Sequence, residues 1–191
     1  HFLKIILIME KFDTQEYIKR IINDPWLGTE FEGYKSLDPK QKGNLGEAWV
    51  SNYMERRFNS IVKPADCGSN GPYDRIIDDY KTEIKFGLSH SDNKKRIVKK
   101  DTFTMNHVSV GKEWERLIFC GINLINGVPT PNRIAWCTKE DFIKCLELEG
   151  KNRLFNPQQG GNKGGNDDFI SAGKKPLKWI ESIYSKDISE W

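Results

Sequence analysis

One segment constrains the fold more than any other: two strand-like runs joined by a two-residue polar turn. The runs 73–77 and 80–86 are rich in β-branched and aromatic residues, and Asp78 and Asp79 lie between them. Two such runs around a pair of turn-forming residues predict a β-hairpin. A two-residue turn also fixes the register, and therefore the side of the sheet on which each side chain lies.

The rest of the sequence alternates between strand and helix signals. Besides the hairpin, strands are predicted at 61–62, 117–125 and 134–137, and helices after Asp13, over 39–58 and after Thr138. Asn126 and Gly127 form a strong turn signal after the second of these strands. Helices around a mixed central sheet give an α/β fold class.

Length and charge narrow the class of protein. A chain of 191 residues with 37% hydrophobic residues is expected to form one domain with a core of its own. No apolar run approaches the ~18 residues of a membrane span. Thirty basic against twenty-seven acidic residues give a net charge of +3, so only the local distribution of charge can indicate a nucleic-acid partner.

Two features indicate a reducing, cytoplasmic location. The N-terminal apolar run is too short for a signal peptide and lacks a small-residue cleavage site. Met9 is a candidate start, so residues 1–8 are left out of the functional reasoning. The cysteines show no Cys-x-x-Cys pair and no nearby His, which argues against zinc and for buried free thiols. They are Cys67, Cys120, Cys137 and Cys145.

The hairpin gathers charged residues that suit catalysis. In its register Asp74 faces Glu83, and Lys85 shares their side of the sheet. Two such carboxylates either repel each other or share a hard cation such as Mg²⁺. The alternative is a solvated surface salt bridge, because Glu-x-Lys also occurs at Glu149 and Lys151, about as often as chance allows.

Glu47 favours the catalytic interpretation of the hairpin over a surface salt bridge. It lies near the start of the predicted helix 39–58, on the side shared with Met54 and Phe58. A glutamate there either favours the helix dipole or is an extra acidic group facing the same cleft.

Together these residues resemble the PD-(D/E)xK nuclease superfamily, which has the restriction-endonuclease-like fold. The resemblance rests on Gly46-Glu47 in a helix, Asp74 at a strand start and Glu83-Ile84-Lys85 on the next strand, within residues 40–140. The proline lies two positions before Asp74, so the Pro-Asp dipeptide itself is absent.

The resemblance implies Mg²⁺-dependent hydrolysis of phosphodiesters. Asp74 and Glu83 would be metal ligands, Lys85 would position or activate the water, and Glu47 would be an accessory acidic residue. Asp66 is the alternative to Asp74, but it lacks the register with Glu83.

Three polar segments are candidates for DNA contact. The basic run 94–100 suits phosphates, and the Gly-rich loop 158–168 carries amide side chains that suit base edges. The predicted phosphate-binding residues are Lys94, Lys95, Arg96, Lys99 and Lys100, with Asn106 and His107 beyond them. The predicted base-reading residues are Gln158, Gln159, Asn162, Lys163 and Asn166.

We therefore expect a type II restriction-type endonuclease that cuts double-stranded DNA as a homodimer. The expected organisation is a helical region over 9–38, a catalytic core over 39–145, and a DNA-reading loop and tail over 150–191. The alternatives are a structure-specific nuclease, such as a Holliday-junction resolvase or repair nuclease, and an inactive DNA-binding module.

Overall fold

The computed structural model describes most of the chain between residues 24 and 149, with shorter segments outside it. The described residues are 13–15, 24–66, 71–89, 91–92, 97–98, 103, 108, 111–149, 156–157, 170–171 and 185–191. Thr14 and Gln15 are helical, in agreement with the helix predicted after Asp13. The rest of that predicted helix lies outside the described residues.

A mixed six-stranded sheet forms the centre of the fold. Its strands, in spatial order, are β1 (Val62–Pro64), β2 (Arg75–Ile77), β3 (Tyr80–Leu88), β6 (Arg116–Ile125), β7 (Val128–Thr138) and β10 (Lys186–Asp187). Strands β3 and β6 are parallel, and the other neighbouring pairs are antiparallel. Two short antiparallel pairs lie outside it: β4 (Ser91–Asp92) with β5 (Ile97–Val98), and β8 (Asn156–Pro157) with β9 (Ile170–Ser171). The predicted mixed α/β class is confirmed.

Two α-helices begin at capping residues. Helix α1 (Pro39–Phe58) starts after Asp38, whose carboxylate accepts from the Gln41 N–H at 2.8 Å. Gln41 in turn accepts from the Asp38 N–H at 2.9 Å, which completes a capping box. Helix α2 (Lys139–Glu149) is capped by Thr138. Short 3₁₀ turns span Tyr34–Ser36 and Ile188–Glu190.

The predicted hairpin forms with its predicted register. The pairs between β2 and β3 are Arg75 with Thr82, Ile76 with Lys81, and Ile77 with Tyr80. Asp78 and Asp79 have φ angles of 48° and 68°. Positive φ at both central residues is typical of the turn whose twist matches that of the flanking strands. Asn126 and Gly127, with φ angles of 51° and 76°, form the second turn that the sequence predicts.

Strand β7 is longer than the sequence predicts. The predicted strand covers 134–137, whereas β7 begins at Val128 and continues through Pro129 and Pro131. Prolines are tolerated in a strand only where one backbone edge needs no partner. Strand β10 pairs with β7 only at Ala135 and Trp136, which leaves the edge beside the two prolines outside that pairing.

Both faces of the sheet are apolar, because alternate residues of β6 point to opposite sides. On one face lies the α2 cluster, which consists of Tyr73, Phe103, Val108, Trp114, Leu117, Phe119, Ala135, Cys137 and Phe142. On the other lies the α1 cluster, which consists of Trp26, Phe31, Val50, Met54, Ile77, Ile84, Leu88, Ile118, Cys120, Ile122, Ile134, Trp136 and Ile188. Burial on both faces explains why 117–125 is a continuous hydrophobic run.

Helix α1 packs against the sheet at unusually short range. A Cβ added to Gly46 would lie 2.4 Å from the Cβ of Phe86 on β3. Val50 and Met54 are fully buried, while Trp49 and Tyr53 are half-buried at the edge of the same α1 cluster. These four residues of the helix thus contribute to one cluster.

The predicted buried thiols are confirmed at two positions. Cys120 and Cys137 are buried and, within the described residues, form no disulfide, and burial raises the pKa of the Cys120 thiol. The side chains of Cys67 and Cys145 lie outside the described set. Within the described ranges, no helix has both the length and the apolarity needed to cross a membrane.

Candidate active site

The candidate site begins with Glu83, a charged residue in the middle of β3. Its side chain is buried, with only 1% of the residue exposed. One carboxylate oxygen, Oε1, lies 2.6 Å from Nζ of Lys85. The other, Oε2, makes no hydrogen bond with any of the described residues. Burying a charged oxygen without a partner is costly, so Oε2 is the atom of this region whose position most needs an explanation.

Asp74 is fixed against β3, but not in the way that the sequence predicts. The β2–β3 ladder ends at Arg75, one residue short of the expected Asp74–Glu83 pair. The Asp74 N–H donates to the carbonyl of Thr82 at 3.0 Å, although Thr82 already pairs with Arg75. Two residues therefore oppose one, as in a β-bulge, which redirects the side chain at its start.

The redirected Asp74 side chain closes onto β3. Its Oδ2 accepts a hydrogen bond from the Ile84 N–H at 2.7 Å. This bond holds the carboxylate beside the segment Glu83–Lys85 without the regular pairing. Asp74 and Glu83 are thus brought together as predicted, by a side-chain bond to the backbone rather than by direct cross-strand pairing.

Glu47 reaches the same region from helix α1 and is held by Arg75. Its Oε2 lies 2.9 Å from Nη1 of Arg75, and the same nitrogen donates to the carbonyl of Asp74 at 2.7 Å. Glu47 therefore lines the cavity beside Asp74, and it is ion-paired there with Arg75.

Arg75 is the residue that sequence reasoning missed, although a signal for it was present. Arg75 and Ile77 share one face of β2, and Ile77 is buried in the α1 cluster. Glu47, Val50 and Met54 follow one another at helical spacing on α1. Ile77, Val50 and Met54 belong to the same apolar cluster. Because Arg75 shares the strand face of Ile77, and Glu47 shares the helix face of Val50 and Met54, the same packing also brings Arg75 and Glu47 together.

The three carboxylates lie within one another's electrostatic field. Burial raises the pKa of Glu83, Lys85 lowers it and Asp74 raises it further, and the net direction is upward. Burial also raises the pKa of Glu47; Asp74 adds to this rise, while Arg75 and Lys85 oppose it. Both glutamates therefore hold their charge at an electrostatic cost, which a bound cation would reduce.

A cavity opens beside these residues. Its volume is about 260 Å³, and Asn44, Glu47, Tyr73, Asp74 and Arg75 are among the residues that line it. Pockets for drug-sized ligands are usually ~300–1,000 Å³. The cavity is therefore more suitable for a small polar group, such as a phosphate or a hydrated ion, than for a whole organic ligand.

The donor set fits Mg²⁺ as a partly hydrated ion. Within the described ranges, no three His, Cys, Asp or Glu side chains are grouped closely enough to hold a metal alone. Mg²⁺ does not require such a group, because it keeps several waters and commonly binds one or two carboxylates together with substrate phosphates. Asp74 and the unpartnered Oε2 of Glu83 are carboxylate ligands of the required kind.

Asp66 lies in a different setting from Asp74. It is exposed, and its Oδ2 accepts from the Tyr73 hydroxyl at 3.3 Å. Asp74, by contrast, is anchored to the backbone of β3. The geometry therefore favours Asp74 over Asp66 as the partner of Glu83.

The predicted DNA-contacting residues lie outside the described residues. They are Lys94, Lys95, Arg96, Lys99, Lys100, Asn106, His107, Gln158, Gln159, Asn162, Lys163 and Asn166. The chain matches no protein-family model, no curated protein and no solved structure. The functional conclusion therefore depends on the geometry of the site.

Proposed function

We propose that the protein is a Mg²⁺-dependent deoxyribonuclease with a restriction-endonuclease-like fold. The observation that carries this proposal is the buried carboxylate of Glu83, which has one oxygen on Lys85 and the other without a partner in the part of the chain that the structure describes. A divalent cation at Oε2, shared with Asp74, would supply the missing partner. The mixed sheet with a helix on each face agrees with the proposed fold.

Each side chain then has a defined task in hydrolysis. Asp74 and Glu83 hold the ion, which when bound offsets the negative charge that develops on the phosphate. Lys85 is kept close to Glu83 and brings a positive charge to the water and phosphate. Hydrolysis breaks one P–O ester bond, with the water supplying a hydroxyl to the phosphate and a proton to the departing alcohol.

We further propose that the substrate is double-stranded DNA, cut at a specific sequence by a homodimer. The basic run 94–100 supports binding to phosphates, and the amide-rich loop 158–168 supports contact with base edges. A two-fold dimer is the simplest reader of a palindromic site, because each subunit supplies one active site per strand.

The test is incubation of the protein with mapped plasmid DNA, followed by sequencing of the ends. We expect discrete fragments with Mg²⁺ or Mn²⁺, none with EDTA, and binding without cleavage with Ca²⁺. Cutting of branched DNA alone would indicate the structure-specific alternative, and binding without cutting the inactive module. Full activity in EDTA would refute the metal-dependent mechanism.

Asp66 provides a matched control for Asp74, because the same Asp→Asn change at each position tests whether cleavage needs one particular carboxylate. Asp74→Asn should abolish cleavage, because it removes the carboxylate held beside Glu83. Asp66→Asn changes an exposed aspartate eight positions away and should leave most activity intact. The opposite result would mean that Asp66 is the ligand. Sedimentation of the protein on its DNA in Ca²⁺ tests the dimer, which a monomeric complex would contradict.

A further inference from the structure

Arg75 links helix α1 to strand β2 at the edge of the candidate site. The side chains of Arg75 and Glu47 are 26% and 22% exposed, so the ion pair is partly shielded from solvent yet reachable. The neighbouring pair of Lys63 with Asp79 is 55% and 89% exposed. Lys63 lies on β1 and Arg75 on the neighbouring β2, but of the two pairs only the Arg75 pair lines the cavity.

The guanidinium of Arg75 has donors to spare. Both of its hydrogen-bonding contacts, to Glu47 and to the Asp74 carbonyl, use the same nitrogen, Nη1. Among the described residues, Nη2 and Nε make no hydrogen bond. An arginine carries five N–H donors in a planar fork that matches two oxygens of a phosphate. Arg75 is therefore anchored at one nitrogen and available at the other two.

Arg75 and Asp74 line the same cavity. If Asp74 and Glu83 hold the ion, the phosphate that shares this ion must enter beside Asp74, where Arg75 also lines the wall. A phosphate there can accept hydrogen bonds from Nη2 and Nε while Nη1 stays on Glu47. Charge-assisted bidentate bonds between arginine and phosphate are among the strongest polar contacts in proteins.

We propose that Arg75 binds the phosphate that is hydrolysed through its available nitrogens, while Nη1 stays paired with Glu47. This inference rests on the proposed nuclease function, but concerns a residue for which that proposal requires no role.

The test compares cleavage by four proteins: the wild type, Arg75→Ala, Glu47→Gln and the double variant. We expect Arg75→Ala to lower kcat/KM ~100-fold, as for other donors that stabilise developing charge. We expect the same factor in the Glu47→Gln background, because a direct phosphate contact does not act through Glu47. Lys63→Ala removes the neighbouring cation and should cut as the wild type does.

Two results would overturn the inference. If Arg75→Ala cuts as fast as the wild type, Arg75 makes no contact in the reaction. If the loss disappears in the Glu47→Gln background, Arg75 only orients Glu47. In either case DNA cleavage by the wild type still stands, whereas a wild type that cuts no DNA refutes the proposed function itself.

A binding measurement separates phosphate contact from loss of structure. DNA with an uncharged methylphosphonate at the mapped cleavage position is compared with natural DNA in Ca²⁺. The wild type should lose ~10-fold or more in affinity, the size of a hydrogen bond to a charged group, and Arg75→Ala should lose clearly less. Equal losses would contradict the contact. Arg75→Lys keeps the charge but not the planar fork, so its loss of affinity should lie between those of the wild type and Arg75→Ala. This variant also controls for a folding defect in Arg75→Ala.

Discussion

Two cations on opposite faces of strands β3 and β6 are held in contrasting ways. Arg116 begins β6, and its guanidinium carbon lies 3.4 Å from the ring centroid of Tyr80 and 4.5 Å from those of Trp136 and Trp191. Lys85 lies on β3, paired with Glu83 at 2.6 Å on the other face. Aromatic rings surround Arg116. Lys85 instead pairs with a carboxylate whose second oxygen has no hydrogen-bond partner among the described residues.

The two tryptophans around Arg116 both use their indole N–H groups in hydrogen bonds. The Trp191 indole N–H donates to Asp78 at 2.9 Å, and the Trp136 indole N–H donates to the Asp187 carbonyl at 3.1 Å. The first contact joins the C-terminal segment to the turn between β2 and β3, and the second joins it to β7. Beside Lys85, by contrast, Oε2 of Glu83 has no hydrogen-bond partner among the described residues, and a cavity opens next to Asp74. Under the proposed function, the first region serves stability and the second gives up some stability to bind a cation.

The largest effect should come from replacing the ion pair itself. Glu83→Leu combined with Lys85→Met should reduce cleavage at least ~1,000-fold, in the range seen when catalytic groups are removed. The free energy of unfolding should stay equal or rise by ~1–4 kcal/mol, because apolar residues often replace buried ion pairs without loss. Cleavage assays and urea denaturation measure the two effects. A clear loss of stability would mean that the pair is structural and that the contrast with Arg116 is wrong.

The next effect concerns the helix that brings Glu47 to the site. Gly46→Ala places a methyl group 2.4 Å from Phe86 Cβ, so helix α1 must move away from β3. We expect a cost of ~1–3 kcal/mol, typical of overpacking, together with slower cleavage as Glu47 leaves the cavity. Gly43→Ala, three residues earlier on the same helix, meets nothing within 4 Å and should stabilise the protein slightly. Similar behaviour of the two variants would show that the close approach is unimportant.

Local sequence signals predicted the secondary structure around the candidate site. They did not predict the contacts between residues that are distant in sequence. The hairpin register and the start of α1 follow from turn and capping residues within a few positions. The bulge at Asp74 does not, because it depends on a side-chain bond to Ile84 on another strand. Docking of Trp191 depends on Asp78, 113 residues away in sequence, and no pattern within either segment reports it.

A smaller effect should come from the aromatic surroundings of Arg116. Arg116→Met keeps most of the apolar stem but removes the charge shared by three rings. We expect a loss of ~1–2 kcal/mol in unfolding free energy, the usual range for partly desolvated cation–π contacts, with cleavage unchanged in the folded protein. Lys186→Met, which removes an exposed cation 5.0 Å from the Trp136 ring, should cost less. A loss of cleavage in Arg116→Met without a loss of stability would contradict the division between the two regions.

The smallest effect concerns the pH dependence of stability, which should have opposite signs for Glu83 in the candidate site and Asp78 near Arg116. Burial raises the pKa of Glu83 above its ordinary 4.5, so the folded state binds more protons there than the unfolded state does. Stability from this group is present below pH 4.5 and is lost as pH rises through the raised pKa. Burial tends to raise the pKa of Asp78, but hydrogen bonds from Ile61, Ser60 and Trp191 prevail and lower it below 3.8.

Asp78 therefore contributes stability above pH 3.8 that is lost as pH falls through its lowered pKa. Urea denaturation of the wild type, Glu83→Gln and Asp78→Asn between pH 3 and pH 8 separates the two groups. The advantage of Glu83→Gln over the wild type should grow with rising pH from about 4.5 upward. The disadvantage of Asp78→Asn should shrink as the pH drops below about 3.8, because the wild-type carboxylate is then protonated as well. Parallel pH profiles for the two variants would mean that both carboxylates are equally well satisfied, which would remove the electrostatic reason for placing the ligand at Glu83.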